Sequence, residues 1–382
     1  MIVITNYPGK AFRHGRLITK LLIFMLLPLS TIYAQQQETI PALPKVEIAN
    51  SEVQTLTSAA SGQEYKLFMH LPANYRATGK KYPVLYLLDA QWDFPLVSAI
   101  YGEQYYDGFI PEMIIVGITW GGSNPDYDKL RMNDLSPSAI SEVPGTGQGE
   151  RFLQFIRSEL MPFVEQTYPA SKNDRTLMGS SMGGLFTLYA LFTDTELFDR
   201  YILTSPASSW DNGVIYTHEK AHAARSENLP VRLYMAHGEL EGNLDGFHKL
   251  IAQLESRNYK GLQMKTKILE GIGHSGTKAE GYTRGLQHVY AKPALSLKSE
   301  ILDQYVGTYR TSQGQNINIA SENNQLILIY PNNFKQILLA ETDHNFYIKG
   351  QFMQLEFKKE AGRVSGLQVQ GFSGGEFLKK VN

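Results

Sequence analysis

From about Val53 to Tyr290 the chain alternates short unbroken apolar runs with longer segments whose apolar residues recur every three or four positions. Runs of the first kind read as strands buried on both faces, and the longer segments as crossover helices. The strands fall at Tyr65 to Leu71, Val84 to Asp89, Met113 to Thr119, Thr176 to Met178, Tyr201 to Ser205, Val231 to Ala236 and Met264 to Leu269. Helical periodicity runs through Gly149 to Thr167, where Phe152, Phe155, Ile156, Leu160 and Phe163 share a face. It returns at Met182 to Phe192 and at Leu244 to Arg257. This alternation predicts an α/β domain over residues 51–290, a doubly wound, mostly parallel sheet with helices on both faces.

After Pro293 the texture changes. Eight short runs with partial period-two alternation follow at spacings of roughly ten residues, separated by Gly and Asn turn signals. Gln325 to Tyr330, Asn345 to Ile348, Met353 to Phe357 and Leu367 to Gln370 are typical members. The pattern predicts a small all-β, antiparallel barrel-like domain over 302–382, with a linker at 291–301. At the other end, Lys10, Arg13, Arg16 and Lys20 precede the apolar run Leu21 to Leu29, which Pro28 interrupts well short of a membrane span. Residues 1–34 therefore read as a secretory signal peptide cleaved after Ala34, with 35–50 as an N-terminal linker. A secreted or periplasmic protein without an integral membrane segment is expected.

Composition narrows the chemistry. The 36 Lys and Arg balance 37 Asp and Glu, a net of −1 that becomes −5 once the basic leader is removed, so no basic surface is expected for nucleic acid. With no cysteine, a disulfide framework, a thiolate nucleophile and a Cys-ligated zinc are all excluded.

Gly179-Ser-Ser-Met-Gly183 matches G-x-S-x-G, a strand-to-helix turn on which a serine hydroxyl stands exposed at a helix N-terminus. Gly371-Phe-Ser-Gly-Gly375 matches as well, but it sits in a strand-rich segment with no helix to follow, so Ser373 reads as a turn residue. Ser181 follows an apolar strand and precedes a helix, which makes it the candidate nucleophile. A serine needs a neutral imidazole to take its proton, and the imidazole needs an acid to fix its tautomer. In such sites the chain order is serine, acid, histidine. His274 lies in the glycine-rich loop Gly271-Ile-Gly-His-Ser-Gly276 after the last predicted strand and satisfies that order. His237 precedes the acid, while His248 and His288 fall within helical patterns. The loop His237-Gly-Glu-Leu-Glu241 supplies Glu241 as first choice of acid and Glu239 as second, with Asp245 third. The oxyanion would be held by the Met182 backbone N–H and by that of Gln91, or of Ala90, in the loop after an early strand.

A competing motif, His218-Glu-Lys-Ala-His222, satisfies H-E-x-x-H. It lacks the extended third-ligand pattern and lies on a short polar segment, so it reads as a solvated helix face rather than a zinc-peptidase site. No metal and no organic cofactor is expected.

Pro83-Val-Leu-Tyr-Leu-Leu-Asp89, Arg131-Met-Asn-Asp-Leu-Ser-Pro137, Glu150-Arg-Phe-Leu-Gln-Phe-Ile156, Arg175 to Leu185 and Ser205-Pro-Ala-Ser-Ser-Trp-Asp-Asn212 occur in order over roughly residues 51 to 290. In these segments the chain resembles the putative-esterase (esterase D-like) family of α/β-hydrolases, whose members include siderophore, S-formylglutathione, feruloyl and acetyl-xylan esterases. The resemblance implies a triad on Ser181, His274 and Glu241, and Glu241 occupies the place an acid usually takes there. It is most similar to the siderophore-esterase branch around Arg131 and Trp210, which with Trp92 are expected to line the substrate cleft. Where the family carries Asp-Gly, this chain has Asp89-Ala90, and its nucleophile turn reads Gly-Ser-Ser rather than Gly-His-Ser. The stretch Leu302-Asp-Gln-Tyr-Val-Gly-Thr-Tyr309 and the strands after it look like the β-barrel appendage of secreted β-lactamase-related serine hydrolases. The reading implied is a serine carboxylic-ester hydrolase acting on a small-molecule or polysaccharide ester. Its rivals are an inactive hydrolase scaffold that binds glycan or peptide, and a zinc peptidase.

Overall fold

One 8-stranded sheet runs through the first two thirds of the chain in the order β1-β2-β4-β3-β5-β6-β7-β8. Its strands are β1 (Ser51–Thr57), β2 (Glu64–His70), β3 (Tyr82–Leu87), β4 (Ile114–Trp120), β5 (Ala170–Ser180), β6 (Arg200–Thr204), β7 (Arg232–Gly238) and β8 (Gln263–Leu269). The computed structural model describes residues 45–372 and 374–381. The expected signal peptide with its cleavage point, and Ser373, lie outside the described residues. From β4 to β8 every pairing is parallel, whereas β1 with β2 and β2 with β4 are antiparallel. Strand β1 escapes the hydrophobic pattern because it is an edge strand: Ser-Glu-Val-Gln-Thr-Leu-Thr alternates exposed and half-buried positions and buries none fully.

The helices sort onto the two faces by their apolar stripes. On one face lie α1 (Ala90–Tyr106) and α8 (Thr277–Val289), through Ala90, Phe94, Val97, Tyr282, Leu286 and Val289. The other face carries α2 (Tyr127–Asp134), α3 (Gly149–Phe155), α4 (Met161–Thr167), α5 (Met182–Thr193), α6 (Trp210–Ala223) and α7 (Leu244–Arg257). The single helix predicted over Gly149 to Thr167 is one run with a π turn at Ile156–Leu160 between α3 and α4. That turn comes just ahead of Pro162, whose missing N–H and bulky ring disturb the regular ladder. Helix α1 eluded the periodicity because Pro95 lies within it.

A short helix α9 (Ser299–Leu302) leads into a closed antiparallel barrel of β9 (Gly307–Arg310), β10 (Asn316–Glu322), β11 (Gln325–Ile329), β12 (Lys335–Ala340), β13 (Asn345–Tyr347), β14 (Met353–Glu360), β15 (Arg363–Gly371) and β16 (Gly374–Lys380). Pairing of β9 with both β10 and β16 closes the ring, so the sheet has no terminal strand. Its core is aromatic: Tyr305 stacks on Phe357 at 4.1 Å and meets Phe346 edge-on at 5.7 Å. Leu295, in the stretch expected as a linker, already bridges to Ala340 of β12. The barrel meets the end of α1 through Tyr105 and Tyr106 against Phe352 and Phe372.

Candidate active site

The order of the sheet reverses between β3 and β5, since the chain leaves β3 toward β4 on one side and returns to β5 on the other. Crevices at the carboxyl ends of such strands are where doubly wound sheets hold their ligands. At that reversal stand the loop after β3, Leu88 to Ala90, and the turn after β5, which carries Ser181.

Ser181 has φ 58° and ψ −117°, a conformation costing on the order of 1–3 kcal/mol for a residue with a side chain. The surroundings enforce it. A Cβ on Gly179 would stand 2.6 Å from the Gly183 backbone, and one on Gly183 would reach within 3.2 Å of Asp89 Oδ2. Glycine at 179 is therefore a steric requirement of the turn, and glycine at 183 leaves room for the Asp89 carboxylate. Two backbone bonds tie the turn to β6 and its following loop: Ser181 N–H to Thr204 O at 3.0 Å and Ala207 N–H to Ser181 O at 3.1 Å. The Met182 amide opens α5, ahead of the first intrahelical acceptor used by Leu185.

Across the crevice, Asp89 adopts the left-handed conformation at φ 53° and starts α1, so that the Ala90 and Gln91 amides precede the helix's own bonds from Trp92 and Asp93 back to Asp89 O. Ala90 is seated directly on the sheet, with its Cβ 2.8 Å from where a Gly117 Cβ would stand. The buried Asp89 carboxylate accepts both Arg131 Nε at 2.9 Å and Nη2 at 2.8 Å, a bidentate pair. Arg131 also lies over the Trp92 ring at 5.4 Å, and Trp92 is 48% exposed. Of the three expected cleft residues, Trp92 and Arg131 thus stand together at this loop. Trp210 opens α6, half-buried, with Nε1–H donating to Ser138 O at 3.1 Å. Trp120 belongs to the core, donating with Tyr65 to the buried Asp134, each at 2.8 Å.

The loops after β7 and β8 bring the remaining pair together. Glu241 Oε2 lies 2.6 Å from His274 Nδ1, and Glu241 Oε1 accepts Gly238 N–H at 2.7 Å and Ser205 Oγ–H at 2.5 Å. Burial pushes the Glu241 carboxyl up, but the bonds from Ser205, His274 and Gly238 outweigh it and hold the group below its ordinary value. Glu239 accepts instead from Gly271 N–H at 2.8 Å, and Asp245 lies in the first turn of α7. His237 is buried, with Nδ1 2.9 Å from Gly238 O and 3.8 Å from Glu241. Among the described residues no hydrogen bond joins Ser181 to His274, whose side chain is 53% exposed. Apo geometry of this kind commonly tightens once substrate is bound.

Sequence reasoning missed Ser205. It sits after β6 with φ 47° and donates to Glu241 from that strained backbone. Only its place in the segment Ser205 to Asn212 could have signalled it. The H-E-x-x-H helix also differs from expectation. Glu219 and His222 are buried rather than solvated, and Glu219 accepts Arg257 Nε at 2.7 Å, Arg257 Nη2 at 3.0 Å and Tyr259 O–H at 2.6 Å, with Gln253 alongside. A carboxylate this fully engaged belongs to a helix–helix ion pair joining α6 to the end of α7 and the residues beyond it.

A family model described as "Putative esterase" matches residues 58–276, and a second, "Domain of unknown function (DUF3471)", matches residues 291–379. The ferri-bacillibactin esterase BesA of Bacillus subtilis is 29% identical over 59% of this chain and 85% of its own length. The siderophore triacetylfusarinine C esterase of Aspergillus fumigatus is 32% identical over 46% of this chain and 61% of its own. Among solved structures, the BES protein of Bacillus cereus superposes with a TM-score of 0.60 at 27% identity, covering 65% of this chain and 97% of the other. An IroE-like serine hydrolase from Shewanella oneidensis gives 0.57 at 25% identity, covering 67% and 85%. The chain belongs to the Putative esterase family and is a carboxylic-ester hydrolase.

Proposed function

We propose that this member of the family is a secreted or periplasmic serine esterase that cleaves the ester bonds of siderophore-type small molecules through an acyl-serine intermediate. Ser181 attacks the ester carbonyl, His274 takes the serine proton and returns it to the leaving alcohol, and Glu241 holds the imidazole in the tautomer this needs. The Met182 and Gln91 amides stabilise the tetrahedral oxyanion, each standing at the start of a helix where partial positive charge gathers. Water then repeats the sequence on the acyl-enzyme.

The observation carrying this reading is the 2.6 Å contact of Glu241 with His274 at the same sheet edge as the strained Ser181 turn. The substrate class rests on the named activities of the curated relatives and on the exposed Trp92 backed by Arg131 at the mouth of the crevice. The export assignment rests on the N-terminal leader pattern, and among the described residues no helix is long and apolar enough to cross a membrane.

The test is a hydrolysis panel of a ferric trilactone, an acetylated xylan and a feruloyl ester with wild type and Ser181→Ala. The trilactone is expected to turn over fastest, and Ser181→Ala to be inactive on all three. Equal rates for wild type and Ser181→Ala would sink the mechanism, and preference for the polysaccharide esters would sink the substrate class.

A further inference from the structure

The loop that carries His274 is largely exposed and is tied to the loop after β7, with Gly271 N–H donating to Glu239 at 2.8 Å and Leu240 N–H to Ile272 O at 3.0 Å. Gly271, Gly273, His274, Ser275 and Gly276 are all exposed, and the first buried residue after them is Thr277, where α8 begins. Thr277 Oγ1 donates to His274 O at 2.7 Å, so the imidazole's position depends on where the first turn of α8 sits. That helix lies unusually close to the sheet: a Cβ on Gly281 would stand 2.4 Å from Thr204 Cγ2, and one on Gly285 2.4 Å from Ile202 Cγ2.

From its first turn α8 reaches sideways to α1. Lys278 Nζ donates to Asp93 Oδ1 at 2.6 Å, and Tyr282 O–H to Asp93 Oδ2 at 2.8 Å. Asp93 is 1% exposed and lies two positions beyond Gln91, in the turn whose amides bond back to Asp89 O. One carboxylate therefore ties the first turn of α1, which follows directly on the loop at 89–91, to the start of α8, which follows directly on the loop at 271–276. A buried ion pair seldom adds net stability over an apolar replacement, because stripping water from both charges offsets their attraction. Its placement between these loops gives it geometric work instead, since misplacement by about 1 Å can cost on the order of a hundredfold in rate.

We infer that Asp93, acting through Lys278 and Tyr282, is a positioning residue that locks the oxyanion loop to the loop carrying His274. The inference rests on the serine-esterase reading for its catalytic consequence. The lock itself can be read without turnover.

The experiment compares wild type, Asp93→Asn, Lys278→Met and the double variant by steady-state kinetics and by amide hydrogen exchange. Exchange is also measured in a Ser181→Ala background, where no catalysis contributes. Expected is a fall in kcat of about tenfold or more with KM nearly unchanged, and faster exchange in residues 89–93 and 272–278 together. The double variant should be no slower than the worse single variant, because both remove the same link. Faster exchange confined to one segment, additive losses, or a kcat within about twofold of wild type would overturn the inference. If Asp93→Asn fails to fold, Lys278→Met carries the same measurements. Failure of the esterase reading shows separately, as wild-type protein that a fluorophosphonate does not label at Ser181.

Discussion

Ser205 donates a 2.5 Å hydrogen bond to Glu241 from a left-handed backbone, φ 47°, so a strained residue outside the proposed triad holds the acid that faces His274. Its hydroxyl also lies 2.9 Å from Thr277 Oγ1, which places it between the acid and the start of α8. Ser205→Ala should raise the Glu241 carboxyl toward its ordinary value, because a bond to the ionised form is lost while burial remains. The Glu241 titration profile, followed by carboxyl-carbon NMR, should move to higher pH, and kcat/KM should fall about tenfold, the worth of one hydrogen bond to a charged group. An unchanged profile would count against this role.

The two acids of the loop after β7 separate by partner. Glu241→Gln leaves the shape but disturbs the histidine tautomer, and kcat should fall on the order of 10⁴-fold. Among the described residues Glu239 meets only the Gly271 amide, near the surface, so Glu239→Gln should change kcat by less than about threefold. Steady-state rates on p-nitrophenyl acetate decide between them, and the reverse ranking would move the triad to Glu239.

Arg257→Ala would leave Glu219 buried with its charge uncompensated. Loss of stability of about 1–3 kcal/mol is expected, read from the denaturant midpoint. Ester hydrolysis at low temperature should persist, since Arg257 ends α7, at the opposite end of that helix from the loop that holds Glu241. A stability equal to wild type would show that Glu219 holds its position without the guanidinium.

His70 is pushed below its ordinary value of 6.5 by burial alone, and it stands edge-on to Tyr101 at 5.1 Å. A depressed folded value means stability that is present above the unfolded value and lost as pH falls below about 6.5, where the unfolded chain takes up a proton that the folded one resists. His70→Phe removes this contribution. Its melting temperature should therefore decline less between pH 7.5 and pH 5 than that of wild type. Parallel declines would refute the assignment.

The hydrophobic pattern was enough for the architecture because burial on both faces writes parallel strands as unbroken apolar runs, and a closed barrel writes its strands as short alternating ones. Thus the central strands and the Ser181 turn could be read from residue order alone. Edge strand β1 and Pro-containing α1 could not, since β1 puts the polar Glu52 and Gln54 on its half-buried face and α1 carries Pro95 within it.

Residue types and their order along the chain singled out Ser181, Glu241 and His274, because the chemistry needs a hydroxyl, a carboxylate and an imidazole on successive loops at one edge. Folding alone brought Glu241 rather than Glu239 against the imidazole, pressed Ser205 onto that carboxylate and paired Asp93 with Lys278 across 185 positions. It also buried Glu219 and His222, which the local polarity of their helix had placed in solvent. Contacts of this kind depend on how loops and helices distant in the chain are packed against one sheet, and local periodicity carries no record of that packing.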